Sequence, residues 1–300
     1  MVSVVSVAFA LLTALCNGMA SVLQRRAAST APDDKALHLS LLSYLVRHKV
    51  WLAGVGMTIA AALCQATALA TGPVALVQPI FIIELPFTLL VSSRLARARL
   101  PRLTWVAVAV VTVSLGAGLA AAAPSGGTDT APTSTWIPVL IVTACFEAVL
   151  IAVGVQTRGN ARAAAFALAA ACGYALTAAL MKNAMAALNQ GVPQFFSSWQ
   201  LYATAAAGVG SLFLLQNSLQ AATLVASQPA LTLGDALISV AYGVTIFGEV
   251  LRTGWWLVAE IAAVLAIGFG CIELSRSLGI LGQSDNALPT TSTLQLRTDP

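Results

Sequence analysis

The chain has 300 residues, 58% of them hydrophobic and only 9% charged, and a mean hydropathy of +0.87. Globular chains carry roughly 25% charged residues, so 15 Lys+Arg and 11 Asp+Glu are too few to coat one or two soluble domains. The composition excludes a cytosolic enzyme, a nucleic-acid binder and a disordered scaffold, and leaves an all-α polytopic membrane protein.

A bilayer span needs about 20 apolar residues. In chain order, the apolar segments predict nine spans, near residues 3–24, 51–71, 74–93, 103–123, 136–156, 163–183, 198–217, 222–247 and 255–275. The first lacks a basic n-region and is not read as a cleaved signal. Residues 36–46 (ALHLSLLSYLV) are apolar but too short to cross, which points to an interfacial or re-entrant piece. Pro124-Ser125-Gly126-Gly127-Thr128-Asp129 reads as a turn-rich loop. From Ser277 the chain turns polar and is expected to be a disordered cytoplasmic tail. Gly208-x-Gly210 reads as a close helix contact. The five cysteines all fall in apolar segments without metal or disulfide spacing, and read as small core residues.

Cytoplasmic loops should hold the excess of Lys and Arg. With nine spans, an outer N-terminus and a cytoplasmic C-terminus, thirteen of the fifteen basic residues fall on the inner side; only Lys182 and Arg252 do not. The expected location is a cytoplasmic membrane, and the Arg- and Ala-rich composition suits a bacterial one.

Two blocks of the chain repeat. Val77-Gln78-Pro79 returns as Ser227-Gln228-Pro229, and Trp105 as Trp255, both 150 residues later. Ala8-Phe9-Ala10-Leu11 returns as Ala165-Phe166-Ala167-Leu168, and the match continues to Gln24-Arg25 opposite Met181-Lys182. Spans 1–4 (residues 1–123) and 6–9 (residues 163–276) therefore read as two four-helix repeats. A loop and linking span 5 (residues 124–162) join them, and a tail (residues 277–300) follows. The odd linker inverts the second repeat, an arrangement typical of secondary transporters with a midplane site.

An ionisable group at the bilayer centre costs ~2.5–3.5 kcal/mol even on the lenient insertion scale. Glu84 in span 3, Glu147 in span 5 and Asp235 in span 8 all fall near the midplane and are the first candidates for a cation or proton site. Pro79, Pro229 and Pro86 each free a carbonyl four residues back, and Gln78 and Gln228 could add amide oxygens. Such oxygens suit a hard cation. Asn17 and Tyr174 occupy matching positions in spans 1 and 6 and could line a path, with Gln216 further along span 7. Lys182, at the outer end of span 6, is a pathway candidate whose plainer reading is snorkelling to the interface. Glu249, Glu260 and Glu273 lie near span ends and read as solvated. No nucleophile elbow, HExxH or P-loop occurs, so neither enzyme chemistry nor a cofactor nor a firm metal cluster is expected.

Met19 through Arg26, the run from Trp51 through Ala68 to Val77 and Pro79, and then Lys182, Gln216, Pro229 and Phe247-Gly248-Glu249 together resemble the NIPA-like magnesium transporters and the related EamA-type proteins of the drug/metabolite transporter superfamily. The chain departs from that pattern at Gln78-Pro79-Ile80 and Ser92-Ser93-Arg94. The resemblance implies nine helices and alternating-access transport of a small solute, with magnesium favoured. A proton-coupled exporter of a small organic or lipid-linked metabolite is the alternative within transport, and a non-transporting membrane scaffold the alternative outside it. The expected partners are the bilayer, the solute and a second copy in a homodimer, with no nucleic acid.

Overall fold

The structure is a computed structural model that describes residues 4–28, 48–95, 100–221 and 224–286. The predicted interfacial piece at 36–46 and residues 287–300 of the predicted tail lie outside them. The elements are α1 (Val4–Ala28), α2 (Lys49–Thr71), α3 (Val74–Ile80), a 3-10 turn (Phe81–Ile83), α4 (Glu84–Leu95), α5 (Arg102–Ala122), β1 (Ser125–Gly126), α6 (Thr133–Gln156), α7 (Gly159–Leu188), α8 (Val192–Ser197), α9 (Trp199–Ala221), α10 (Leu224–Phe247), β2 (Glu249–Val250) and α11 (Trp256–Asn286).

Among the described residues, eight helices are long and apolar enough to cross a membrane, with α3, the turn and α4 counting together as Val74–Arg94. In α9 the apolar run, Trp199–Leu215, is shorter. Helices are the natural solution for such segments, because in hydrocarbon every backbone N–H and C=O must be satisfied internally. The polar side chains these helices carry follow the same rule. Thr13, Thr177, Ser211 and Ser275 each give their hydroxyl proton to a carbonyl one turn back.

Helix starts fall where the sequence removes a donor that the first turn would leave unused. Pro73, Pro101 and Pro132 stand at the N-caps of α3, α5 and α6. Pro79 and Pro229 behave differently from each other. After Pro79 the α-helix ends and the 3-10 turn begins, whereas α10 runs unbroken through Pro229. Pro86 lies in the first turn of α4, where no intrahelical bond is lost.

Helix α7 is the axis of the bundle, packed against α2, α6, α9 and α10. Its small residues, Ala167, Ala170, Ala171, Ala175, Ala178 and Ala179, are fully buried and let neighbouring backbones approach closely. The other principal packings join α1 to α2, α1 to α4, α5 to α11, and α3 to α10. Two apolar cores result. One holds Leu69, Val77, Trp136, Leu176 and Phe247; the other holds Ile82, Leu89, Val111, Ile267 and Leu274. They meet at the 3-10 turn, immediately before Glu84.

Three expectations change. The all-α reading misses a small sheet: Ser125 pairs with Val250 and Gly126 with Glu249, antiparallel, so the turn-rich loop is tied to the α10–α11 connection. Helix α11 continues past residue 276 to Asn286, anchored where the Ser277 hydroxyl meets that of Thr104 at 2.9 Å. Gly208 and Gly210 do not form a close contact: Gly208 only grazes Thr177, and nothing lies within 4 Å of a Cβ built on Gly210. The close approaches lie elsewhere, since a Cβ on Gly270 would run into Val111 across the α5–α11 seam.

That seam gives a direct test. Gly270→Val should destabilise the folded protein by about 1–3 kcal/mol through overpacking. Gly116→Ala, on α5 with open space around it, should leave the thermal midpoint unchanged or slightly raised. Thermal unfolding of the two variants in one detergent compares them.

Candidate functional site

Among the described residues the most heavily bonded carboxylate is Glu249, in β2 just beyond α10. Its side chain is fully buried. The Val74 N–H donates to Oε1 at 2.7 Å and the Ala75 N–H to Oε2 at 2.8 Å. These are the first two residues of α3, whose N–H groups have no partner inside the helix and whose dipole favours a negative charge. Lys182 of α7 completes the arrangement: its Nζ donates to Glu249 Oε1 at 3.1 Å and to the Gly72 carbonyl at 3.3 Å. Nζ also lies 4.9 Å from the centre of the Phe247 ring. Asp129, 4.0 Å away and 72% exposed, adds little, because water screens it.

The chain is shaped around this carboxylate. A side chain on Gly243 would collide with Glu249 Oε2, and one on Gly127, at φ +86°, with Glu249 Cγ. The Thr128 N–H donates to the Phe247 carbonyl and the Arg252 N–H to that of Ala122, both at 2.8 Å. The Ala131 N–H donates to Asn183 Oδ1 at 2.9 Å. Trp136 packs edge-on against Trp199 and Phe247. The α2–α3, α5–α6 and α10–α11 connections are thereby drawn into one closed end, with a shallow cup lined by Thr71, Pro73, Ser125 and Asp129 above Lys182. We refer to this network as the latch.

Two expectations are corrected here. Lys182 does not snorkel: it is 3% exposed and ion-paired. Glu249 is not solvated, because α3, α7 and two loops close over it. Glu260 likewise has one carboxyl oxygen buried with no partner, and Glu273 pairs with Arg276 at 3.2 Å. One signal for the latch was in the sequence: Lys182 and Arg252 are the only basic residues off the basic side, and a lone off-side Lys invites a search for an acid.

The midspan acids fall into two groups. Glu84, at the start of α4, and Asp235, near the middle of α10, lie within electrostatic reach of each other. Asn17 of α1 hydrogen-bonds the Glu84 carboxyl, Ser239 donates to Asp235 Oδ1 at 3.4 Å, and Tyr174 of α7 lies within electrostatic reach of both acids. All four site residues, Asn17, Glu84, Tyr174 and Asp235, are half-buried and keep some accessible surface. Gln78 is buried a turn and a half before Glu84, and its amide nitrogen has no partner. The side chains of Gln216 and Gln228 lie outside the described residues. Glu147 is not part of this group. It packs against Gly173 on another side of α7, near Cys172 and Tyr242.

Chemically, the Glu84–Asp235 group offers two carboxyls, an amide and two hydroxyls, an oxygen-rich set suited to a proton or a hard cation. Among the described residues, no three His, Cys, Asp or Glu side chains converge. A divalent ion here would therefore be held by two carboxylates and neutral oxygens, keeping part of its water.

Long apolar helices with ion pairs and acids buried between them are compatible with a multi-pass membrane protein. An uncharacterized protein of Corynebacterium glutamicum, Cgl0250/cg0304, is 29% identical to this chain over 280 residues, covering 92% of this chain and 96% of the relative. No family model matches the chain. No solved structure matches it.

Breaking a buried pair from one side strands the other charge, at a cost of about 3–5 kcal/mol. Glu249→Leu and Lys182→Met should each lower stability by about that amount, and the double variant by less than either sum. A double-mutant cycle on thermal or denaturant unfolding measures the coupling, and additive losses would show that the two groups do not interact.

Proposed function

We propose that the protein is a secondary transporter or facilitator of the drug/metabolite type, moving a small cation, magnesium in the first instance, through the Glu84–Asp235 group by alternating access. The observation that carries this reading is that two midspan acids from spans 3 and 8 lie within electrostatic reach of each other, with an amide and a phenol from the matching positions of spans 1 and 6 nearby. A purely structural membrane protein gains nothing from acids at that depth.

The packing supports the two-repeat organisation. Span 1 packs on span 2 and on span 3, and span 6 packs in the same way on span 7 and span 8. Spans 3 and 8 pack on each other, as do spans 4 and 9. This packing is what two inverted repeats, residues 1–123 and 163–276 of a nine-span chain, would give about a shared axis. In the orientation that the basic residues favour, with an outer N-terminus and a cytoplasmic C-terminus, the latch lies on the outer side of a cell membrane.

The latch then serves as the outer gate. Glu249 holds the N-terminus of α3, and α3 leads in seven residues to the 3-10 turn and then to Glu84. Movement at the latch is carried along α3 to the first ligand of the site. At the opposite end a cup is lined by Arg158, Arg162 and Asn217. A state open toward the cytoplasm and closed outside is the one this arrangement favours.

The test is flux in proteoliposomes of wild type, Glu84→Gln and Asp235→Asn. Magnesium flux should fall at least about tenfold in each, as expected for loss of one charge-assisted contact of about 1.5–3 kcal/mol. Proton flux without magnesium flux would instead favour the exporter of an organic solute, and no flux of either kind would sink the transport reading.

A further inference from the structure

At the end of the bundle away from the latch, a cavity of about 270 Å³ opens between the start of α7 and the end of α9. It is lined by Arg158, Gly159, Arg162, Asn217 and Ala221. No carboxylate lines it, and neither arginine forms an ion pair among the described residues. Both arginines are exposed. Two guanidinium groups converging on one space attract an anion and repel a cation. The cavity therefore suits a ligand of opposite sign to the one proposed for Glu84 and Asp235.

The chain fixes these groups in position. Only Thr157 and Arg158 separate α6 from α7, and the turn closes at Gly159 with φ +59°. The Arg162 guanidinium lies 5.6 Å from the centre of the Phe166 ring, a cation–π contact that orients it. That ring is held in turn, since Phe166 is buried and a Cβ on Gly154 of α6 would lie 3.1 Å from it. The Ser218 hydroxyl donates to the Ala163 carbonyl at 2.6 Å, which fastens α9 to α7 beside the cavity. Asn217 gives one amide N–H to the Phe213 carbonyl at 2.8 Å and has a second to offer.

The flank of the cavity is apolar. One turn deeper than Asn217, Phe213 is exposed on α9, as are Leu212 and Val209, and Val155 is exposed at the end of α6. A basic pocket between spans, with an apolar surface leading away from it, matches both parts of a phospholipid.

We propose that this cavity is a headgroup site for an anionic phospholipid. Arg158 and Arg162 hold the phosphate oxygens through their forked N–H donors, with the Asn217 amide beside them, and the acyl chains lie along Phe213 and Leu212. A zwitterionic lipid brings its own cation to the arginines and gains less. Free phosphate finds the same donors but leaves the apolar flank unused. The site stands whether or not the chain carries a cation.

Native mass spectrometry of the purified full chain in a neutral detergent tests this, with phosphatidylglycerol, phosphatidylcholine and inorganic phosphate as probes. Wild type should bind phosphatidylglycerol in preference to phosphatidylcholine, and inorganic phosphate should not displace it. Arg158→Gln and Arg162→Gln should each weaken that binding about fivefold, and Phe213→Ser should also weaken it. Arg94→Gln, which removes an exposed arginine outside the cavity, should leave it unchanged. Phosphatidylglycerol should raise the thermal midpoint of wild type, and should raise that of the Arg158→Gln/Arg162→Gln double variant less. Equal binding of the two lipids, or an equal loss in Arg94→Gln, overturns the proposal. Displacement by inorganic phosphate also overturns it, because the site would then belong to a free anion.

Discussion

A carboxylate buried at the start of a membrane helix needs donors on every side, and that need organises one whole end of this protein. Glu249 meets it with two backbone N–H groups of α3 and the ammonium of Lys182, drawn from parts of the chain 67 to 175 residues away. Removing either charge leaves the other stranded in a low-dielectric site, where its desolvation is not offset. The small sheet, the left-handed glycine at Gly127 and the bare flank of Gly243 all follow from making room for this group. The Phe247 ring, backed by Trp136, covers the ammonium of Lys182 from one side.

The same logic relates the closed end to the central site. Helix α3 is held at its first turn by Glu249 and loses regular geometry after Pro79, so it is a short rod between a fixed point and a joint. Glu84 is the first residue past the joint. Helix α10, the other contributor, runs through Pro229 without a break and ends at Phe247, two residues before Glu249. Both acids of the site are thus mechanically close to the latch although they lie deeper in the bundle. The repeated Gln-Pro element is used asymmetrically, with a break in one half and continuity in the other.

Burying acids in an apolar bundle is costly enough that their surroundings carry information. Glu84 and Asp235 share their surroundings with an amide, a phenol and each other. Glu147 shares its own with a thiol, a phenol and a glycine that leaves it space. The difference divides three acids of similar depth into one pair and one singleton.

Much of the architecture was legible in the sequence alone. Hydropathy marked the helices to within a few residues at most ends, because an apolar run must be helical in lipid. The offset repeats identified Asn17 and Tyr174 as counterparts, and depth along each span singled out Glu84, Asp235 and Glu147. Other features depended on tertiary contacts, since they join residues distant in sequence. Hydropathy reads Glu249 as a solvated span end and Lys182 as a snorkelling side chain, because a one-dimensional profile cannot show that two loops and two helices close over both. Nor could it show that Glu147 faces away from the other acids, since the direction of a side chain around α6 is set by which helices pack there. The sequence by itself determined how many apolar segments there are and how deep each acid lies along its own. Only the tertiary structure decided which charges meet, because a buried charge is stable only where the packing of other segments brings it a partner.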